Sequence, residues 1–202
     1  MEMKRTIYIL LVSAISLCTS SCHFLEVEKI GKSDIETYFS DISSLEPAMN
    51  GLYSLTFSLY DKYIIPYAEI AADNVVVSKD KGGVWIDYQN FATDLTYETS
   101  AVGMIWKNGY NIINNANEIL YYAPKLLQEN PGSSDLIHNV IGGAYFIRAL
   151  MHFNLCLVYA QNYTFTSDAS HLGVALRDRI PSLSETVRRV SENDTYSLIL
   201  SD

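Results

Sequence analysis

Cysteine thiols offer the widest range of chemistry in this sequence, and there are three, at Cys18, Cys22 and Cys156. A thiol can form a disulfide, act as a nucleophile, bind a metal or carry a lipid. Cys22 is the most unusual of the three, because it follows the small residues 19–21 close to the start of the chain. What precedes it decides which of these chemistries it serves.

The residues before Cys22 have the organisation of an export signal. Lys4 and Arg5 form a basic start, residues 7–17 form an apolar run, and small residues follow; this order is typical of a secretory signal. A membrane-spanning helix needs about 20 apolar residues, so this run is too short to be one. Cys22 stands where a bacterial lipoprotein signal peptidase would leave a new N-terminus. The sequence therefore predicts a signal peptide over residues 1–21 and lipidation at Cys22; the alternative is an ordinary signal peptide with Cys22 left free.

Cys156 is left alone once Cys18 is cleaved away and Cys22 is acylated, so the mature chain is expected to hold no internal disulfide. His152 lies four residues before Cys156, a spacing that could supply half a metal site or a Cys–His pair. Both side chains have apolar neighbours and no second ligand pair is visible, so we interpret Cys156 as a buried, inert thiol. Catalytic and phosphate-binding motifs are also missing from the sequence. We therefore expect no enzyme activity, no metal and no cofactor.

The composition indicates a folded domain. Hydrophobic residues make up 49% and charged residues 18% of the chain, which disfavours disorder. The net charge of −9 argues against binding to nucleic acid or directly to anionic lipid, because both need basic patches. The 15 tyrosines suit recognition surfaces and helix–helix interfaces alike.

Helical spacing dominates the chain after residue 40. A first helix is predicted to begin near Asp41 or Ser43 and to be interrupted at Pro66; a second, short helix should end near Asn74. Residues 101–127 predict another helix, which Pro124 would bend or end.

A turn over residues 129–135 offers the capping candidates Ser133, Ser134 and Asp135, and an almost wholly apolar helix follows it. The two long helices are expected to pair as an antiparallel hairpin with that second helix buried.

Three features within these helices carry specific expectations. Gly51 and the pair Gly142–Gly143 suggest places where helices approach closely. Gly142–Gly143 lies within a helix, so phosphate binding there is not expected. Arg148 lies on an apolar stripe and is interpreted as part of a structural ion pair or as packing between helices.

Residues 78–99 and 162–189 read as loops, and the first is long enough to suggest a function. A last helix is predicted from Ser191, with Asp194 completing its cap. Asp202 lies within that helix, and an acidic residue opposes the helix dipole at a C-terminus. We therefore expect the natural helix to continue beyond this sequence.

Taken in order, these pieces resemble the SusD/RagB family of surface lipoproteins. The matching stretches are SCHFLEVE, PAMNGLYSL, YAEIAADN, WKNGYNIINNANEIL, GAYFIRALMHFNLCLVYAQNY, LGVALRDRIP and RRVSENDTYSLILSD. The resemblance implies an all-α fold of tetratricopeptide-like helical hairpins with long loop insertions. It also implies a lipidated tether over residues 22–40 and an N-terminal helical domain over residues 41–202 that is incomplete at its C-terminus.

The resemblance further implies a function outside the cell. Family members are lipid-anchored at the outer membrane and face the exterior, and Glu26 and Glu28 fit the acidic stretch thought to direct them there. They bind oligosaccharide, or peptide in some branches, and deliver it to a TonB-dependent, SusC-like transporter without catalysis. A helical-repeat adaptor that makes only protein–protein contacts is the alternative for this chain.

Ligand capture without catalysis uses aromatic faces stacked on sugar rings and a few polar groups that fix hydroxyls. The candidates are Trp85, Tyr88 and Asn90 in the long loop, with Asp73 at its base. In the family, this loop follows a Glu–Asp stretch that Glu69 and Asp73 match. The alternative is that Trp85 packs the loop onto the helices and Asp73 caps or pairs.

Overall fold

The structure, a computed structural model, describes residues 34–78, 84–90, 100–182 and 185–202. The chain divides into two compact units, Met1–Thr37 and Tyr38–Asp202. Cys22 and the predicted signal peptide lie outside the described residues. The described residues of the second unit are mainly helical and include one short β ladder, which confirms the prediction of a helical fold.

The elements follow one another in this order: α1 (Ile35–Tyr38), a 3-10 turn (Ile42–Ser44), α2 (Leu45–Leu59), a π-helical turn (Tyr60–Ile64), α3 (Ile65–Ala71), α4 (Val84–Gln89), α5 (Ala101–Glu129), a 3-10 turn (Pro131–Ser133), α6 (Ser134–Tyr159), β1 (Leu172–Ala175), β2 (Arg189–Ser191) and α7 (Glu192–Ser201). The short helix α1 lies within residues 22–40, the stretch expected to form the lipidated tether.

Helical structure begins close to where the sequence predicted, with the 3-10 turn Ile42–Ser44 leading directly into α2 at Leu45. The side chain of Asp41 accepts a hydrogen bond from the Ser43 N–H at 2.8 Å and caps this turn, whereas Ser44, the N-cap of α2 itself, makes no side-chain cap hydrogen bond. Helix α2 then buries one stripe of side chains: Leu45, Met49, Leu52, Thr56 and Leu59.

Pro66 does not interrupt the helix, so that expectation was wrong. The chain passes from α2 through the π-helical turn directly into α3, and Pro66 lies in the first turn of α3. The ring of Pro66 removes a backbone donor and crowds the preceding turn. A π-helical turn, with its wider i→i+5 bonding, is a known way to absorb such a local irregularity.

Helices α5 and α6 form the predicted hairpin and most of the core. Their buried side chains include Ile105, Ile112, Ala116, Ile119, Ile137, Ala144, Met151 and Leu155. Helix α5 continues through Pro124 to Glu129. The stretch Pro131–Tyr159 has the length and hydropathy of a membrane span, but half of its apolar window is buried, as expected for the central helix of a packed domain.

The three glycines expected to allow close helix packing differ in how much space surrounds them. A Cβ at Gly143 would lie 2.8 Å from Met49 Cε and 3.1 Å from the Tyr53 hydroxyl, so this glycine lets α6 approach α2 closely. A Cβ at Gly51 or Gly142 would meet nothing within 4 Å. The prediction of close packing is therefore confirmed at Gly143 and wrong at the other two.

Residues 162–189 are not wholly loop. Strands β1 and β2 pair antiparallel, with Leu172 opposite Ser191 and Ala175 opposite Arg189. The sequence did not predict them because strands of 4 and 3 residues are too short to show alternation. Helix α7 follows β2 directly, and the predicted cap is confirmed: the Asp194 N–H donates to the Ser191 hydroxyl at 3.1 Å.

At the start of α6, by contrast, Ser133 occupies the N-cap position without a side-chain cap hydrogen bond. The capping expected from this turn is therefore not seen at that position.

Candidate functional site

Helix α4 carries the aromatic residues that the sequence singled out. The predicted loop over residues 78–99 contains this six-residue helix, Val84–Gln89, which is too short for its periodicity to be read from sequence. It packs against α3. Trp85 is half-buried, and Tyr88 is buried at 3% exposure.

Tyr88 fixes α4 to the neighbouring helices. Its ring lies 5.6 Å from the Tyr67 ring, edge to face, and 5.4 Å from the Trp85 ring. Its hydroxyl oxygen accepts a hydrogen bond of 2.7 Å from the Val102 N–H at the start of α5. Burial, with a smaller contribution from Tyr88, raises the pKa of Tyr67. In this arrangement the Tyr88 ring faces protein, and it supports Trp85 from the inner side.

Along the chain, Asp73 lies in a turn before this aromatic pair and Asn90 lies in a turn after it. Asp73 is exposed, with a left-handed φ of 60°, in the turn that ends α3. Beside it, the Asn74 side chain donates to Glu69 Oε2 at 3.0 Å. Asn90 is exposed at the end of α4. The structure thus brings Trp85 and Tyr88 into contact, and within the described residues no hydrogen bond joins Asp73 or Asn90 to them.

A second polar group of residues lies inside the domain, around Arg148 on α6. Its guanidinium donates through Nε to Asp202 Oδ2 at 2.7 Å and through Nη2 to Asp202 Oδ1 at 2.5 Å. Its Nη1 donates to Asn117 Oδ1 and to the Asp178 carbonyl, each at 2.7 Å. The two charged side chains are 6% and 3% exposed. This confirms the structural ion pair predicted for Arg148.

His152 extends this group without acting as a metal ligand. Its Nε2 accepts from the Arg177 N–H at 3.3 Å, so its Nδ1 carries the proton and donates to the Arg148 carbonyl at 3.0 Å. Burial lowers the pKa of His152 to about 4, so the ring is neutral. Both ring nitrogens are therefore occupied by backbone partners.

Cys156 is buried, as predicted, and burial raises the pKa of its thiol to about 12. Its polar neighbour is Glu192 and not His152, so the Cys–His pair considered from the spacing does not form. Burial also raises the pKa of Glu192, which is only 1% exposed.

Sequence reasoning missed Glu192 as a buried acid. A sequence feature that bears on its burial is Gly173, because any larger residue there would place a Cβ 2.5 Å from Glu192 Oε2.

Comparison with known proteins places these features in a family. Residues 23–202 match the SusD-like family described as starch-binding and associating with the outer membrane. A SusD-like protein from Formosa agariphila is 23% identical over 98% of this chain. A SusD superfamily protein from Bacteroides thetaiotaomicron, known from its crystal structure, superposes with a TM-score of 0.61 at 19% identity over 80% of this chain. A SusD-like protein from Bacteroides fragilis gives a TM-score of 0.50 at 17% identity over 84% of this chain.

The chain spans about a third of the length of these relatives. It covers 36% of the Formosa protein and 35% and 30% of the two Bacteroides structures. The structural likeness establishes the helical fold that they share.

Proposed function

The chain belongs to the SusD-like family, and on that basis we propose that it captures oligosaccharide at the outer membrane and passes it to a TonB-dependent, SusC-like transporter. The proposal includes a lipid anchor at Cys22, exposure to the cell exterior, and capture without catalysis. It rests on the family match over residues 23–202. Peptide is the second ligand class that the same proposal covers.

The observation that carries ligand capture is the half-buried Trp85 held on the Tyr88 ring. A sugar ring presents a C–H face that packs on a flat aromatic surface, and a rigid aromatic group loses little conformational entropy when it binds. Tyr88, packed between Tyr67 and Trp85, keeps the indole in place. We propose Trp85 as the contacting face, Tyr88 as its support, and Asp73 and Asn90 as polar groups at the edge of the same surface.

Affinity electrophoresis of the purified chain through gels containing a panel of polysaccharides tests this assignment. We expect retardation on at least one polysaccharide and its loss in Trp85→Ala. Phe57→Ala is the matched control, because Phe57 is an aromatic residue 71% exposed on α2, and retardation should be unchanged. Equal retardation of both variants would overturn the assignment of Trp85. No retardation on any polysaccharide, together with retained capture of an outer-membrane transporter, would favour the adaptor alternative.

The anchor has its own test. Mass spectrometry of the native product should find an N-terminal cysteine at position 22 that carries acyl chains, and Cys22→Ser should abolish acylation. An unmodified thiol at that position would contradict the anchor and leave the ligand proposal to its separate test.

A further inference from the structure

A groove lies between α2 and α5, at the point where α2 passes into the π-helical turn. Leu55, Ser58, Leu59, Lys62 and Tyr63 line it from one side, and Met104, Asn108, Asn111 and Ile112 line it from the other. Each set recurs at three- and four-residue intervals, so two helical stripes face each other across the groove. Its volume is about 170 Å³.

The lining combines an apolar floor with polar groups whose hydrogen-bonding capacity is unused. Leu59 and Ile112 are 2% and 1% exposed and form the floor. The Asn108 amide donates to the Met104 carbonyl at 2.9 Å, which leaves its oxygen available. Among the described residues, no side-chain hydrogen bond is made by Ser58, Lys62 or Asn111. Polar groups that converge on a partly apolar depression are the usual composition of a small-molecule site.

Lys62 gives the groove a charge preference. It is exposed, and within the described parts of the chain it forms no ion pair with a carboxylate. The described lining includes neither Asp nor Glu, although the chain as a whole carries a net charge of −9. A local cation in an acidic protein favours a ligand that itself carries an anionic group, because the ammonium bonds strongly to an ionised oxygen.

The size of the groove limits what it can hold. A cavity of about 150 Å³ accommodates one benzene molecule, so a groove of about 170 Å³ holds one six-membered ring with its substituents at the open side. Drug-sized ligands occupy pockets of roughly 300 Å³ or more. The amides of Asn108 and Asn111 and the Ser58 hydroxyl suit ring hydroxyls, and the apolar floor suits the C–H face of a sugar.

We propose that this groove binds a single sugar ring that bears a carboxylate, with Lys62 bonding to the carboxylate and the two asparagines to ring hydroxyls. Tyr63 packs against both the main core and the small cluster around Tyr88, and Trp85 packs against that same cluster. The assignment deepens the proposed function by naming an acidic ligand class. A π-helical turn is a frequent feature of functional sites, and here it carries both Lys62 and Tyr63.

Calorimetric titration of the chain with glucuronate and with glucose tests the proposal. We expect saturable binding of glucuronate that is about tenfold weaker in Lys62→Met, because a charge-assisted hydrogen bond is lost. Lys107→Met is the matched control: it removes the same charge from an exposed position on α5 outside the groove lining, and its affinity should equal that of the unmodified chain. Asn111→Ala, at another exposed position, should also weaken binding.

Three results would overturn the proposal: no saturable binding of glucuronate, equal affinity for glucuronate and glucose, or equal losses in the two lysine variants. Trp85→Ala separates this inference from the function proposed above. That variant should lose retardation on polysaccharide gels while keeping its affinity for glucuronate, so either assignment can fail while the other stands.

Discussion

Arg148 on α6 and Asp202 at the end of α7 form a bidentate ion pair inside the domain, with donor–acceptor distances of 2.7 and 2.5 Å. The pair fixes the last helix to the central one, and the Asn117 side chain completes the arrangement from α5. Because the side chains are 6% and 3% exposed, neither charge has water to replace its partner. Removal of one member alone is therefore expected to destabilise the fold strongly, because the other charge stays buried without a partner.

Replacement of Asp202 by alanine is expected to lower the free energy of unfolding by about 3–5 kcal/mol, since it leaves the Arg148 guanidinium buried without a counter-charge. Urea denaturation followed by circular dichroism measures this loss. Asp178→Ala is the control, because the Asp178 carboxylate pairs with Arg179 at an exposed position and should contribute less than about 1 kcal/mol. Equal losses in the two variants would show that the buried pair has no special role.

The sequence predicted the three long helices together with the shorter α3 and α7, and it missed helix α4 and the two strands. The stripes of α2, α5 and α6 repeat over many turns, so their positions and their pairing could be deduced. Helix α4 and the two strands have 6, 4 and 3 residues, too few for any period, and their formation depends on packing against distant parts of the chain.

The candidate site follows the same rule. The aromatic residues of the predicted loop pointed to Trp85 and Tyr88, but only the fold shows that the Tyr88 ring lies behind Trp85. The partner of Arg148 is 54 residues away and could not be identified from the stripe that predicted an ion pair.

Gly173→Ala should destabilise the domain by about 1–3 kcal/mol, because the new methyl group would overlap the Thr195 hydroxyl and would lie 2.5 Å from Glu192 Oε2 and 3.0 Å from the Glu192 backbone. Gly142→Ala should do the opposite. It adds a methyl group in open space within α6, and alanine is favoured over glycine in a helix by about 0.5–1 kcal/mol. Thermal unfolding of both variants checks the prediction, which would be wrong if the two melting temperatures moved in the same direction.

His152 should make stability depend on pH between about 6.5 and 4. Burial lowers its pKa in the folded chain from 6.5 to about 4. Below pH 6.5 the unfolded chain therefore binds a proton that the folded chain does not, and the free energy of unfolding falls as pH is lowered through this window. At 1.36 kcal/mol per pKa unit, the whole effect is about 3 kcal/mol.

Urea midpoints measured at several pH values across this window test the effect. His152→Gln should be less stable than the unmodified chain but should show a weaker dependence on pH. His138→Gln, at an exposed position, should keep the full dependence. Glu118 and Glu192 have raised pKa values and act in the opposite direction, but all the variants retain them. An unchanged slope in His152→Gln would contradict the assignment.

Cys156 should resist thiol reagents in the folded protein. Its thiol is 3% exposed, and burial raises its pKa to about 12, so both access and thiolate content are low. Mass spectrometry of the peptide around Cys156 after iodoacetamide treatment should show modification in urea and almost none without it. Rapid modification of the native protein would indicate an accessible, reactive thiol and would contradict the interpretation of Cys156 as inert.

Tyr88→Phe tests whether the buried Tyr88 hydroxyl anchors α4, the helix that carries Trp85, to the start of α5. The substitution keeps the ring but leaves the Val102 N–H, at the start of α5, without its acceptor at 2.7 Å. An unpaired buried donor costs about 1–3 kcal/mol, so α4 should detach at lower urea concentration. The fluorescence of Trp85 reports this detachment in a Trp106→Phe background, because the chain has 2 tryptophans.

Tyr67→Phe is the matched control for that experiment. Tyr67 contacts the Tyr88 ring edge to face, and among the described residues its hydroxyl makes no hydrogen bond, so its removal should change stability by about 0.5 kcal/mol or less. If Trp85 is the ligand-contacting face, Tyr88→Phe should also weaken retardation on polysaccharide gels while Tyr67→Phe should not. Tyr88→Phe could show an early fluorescence change and still be retarded on polysaccharide gels. That result would mean that ligand capture does not depend on the anchoring of α4, and it would contradict the assignment of Trp85 as the contact face.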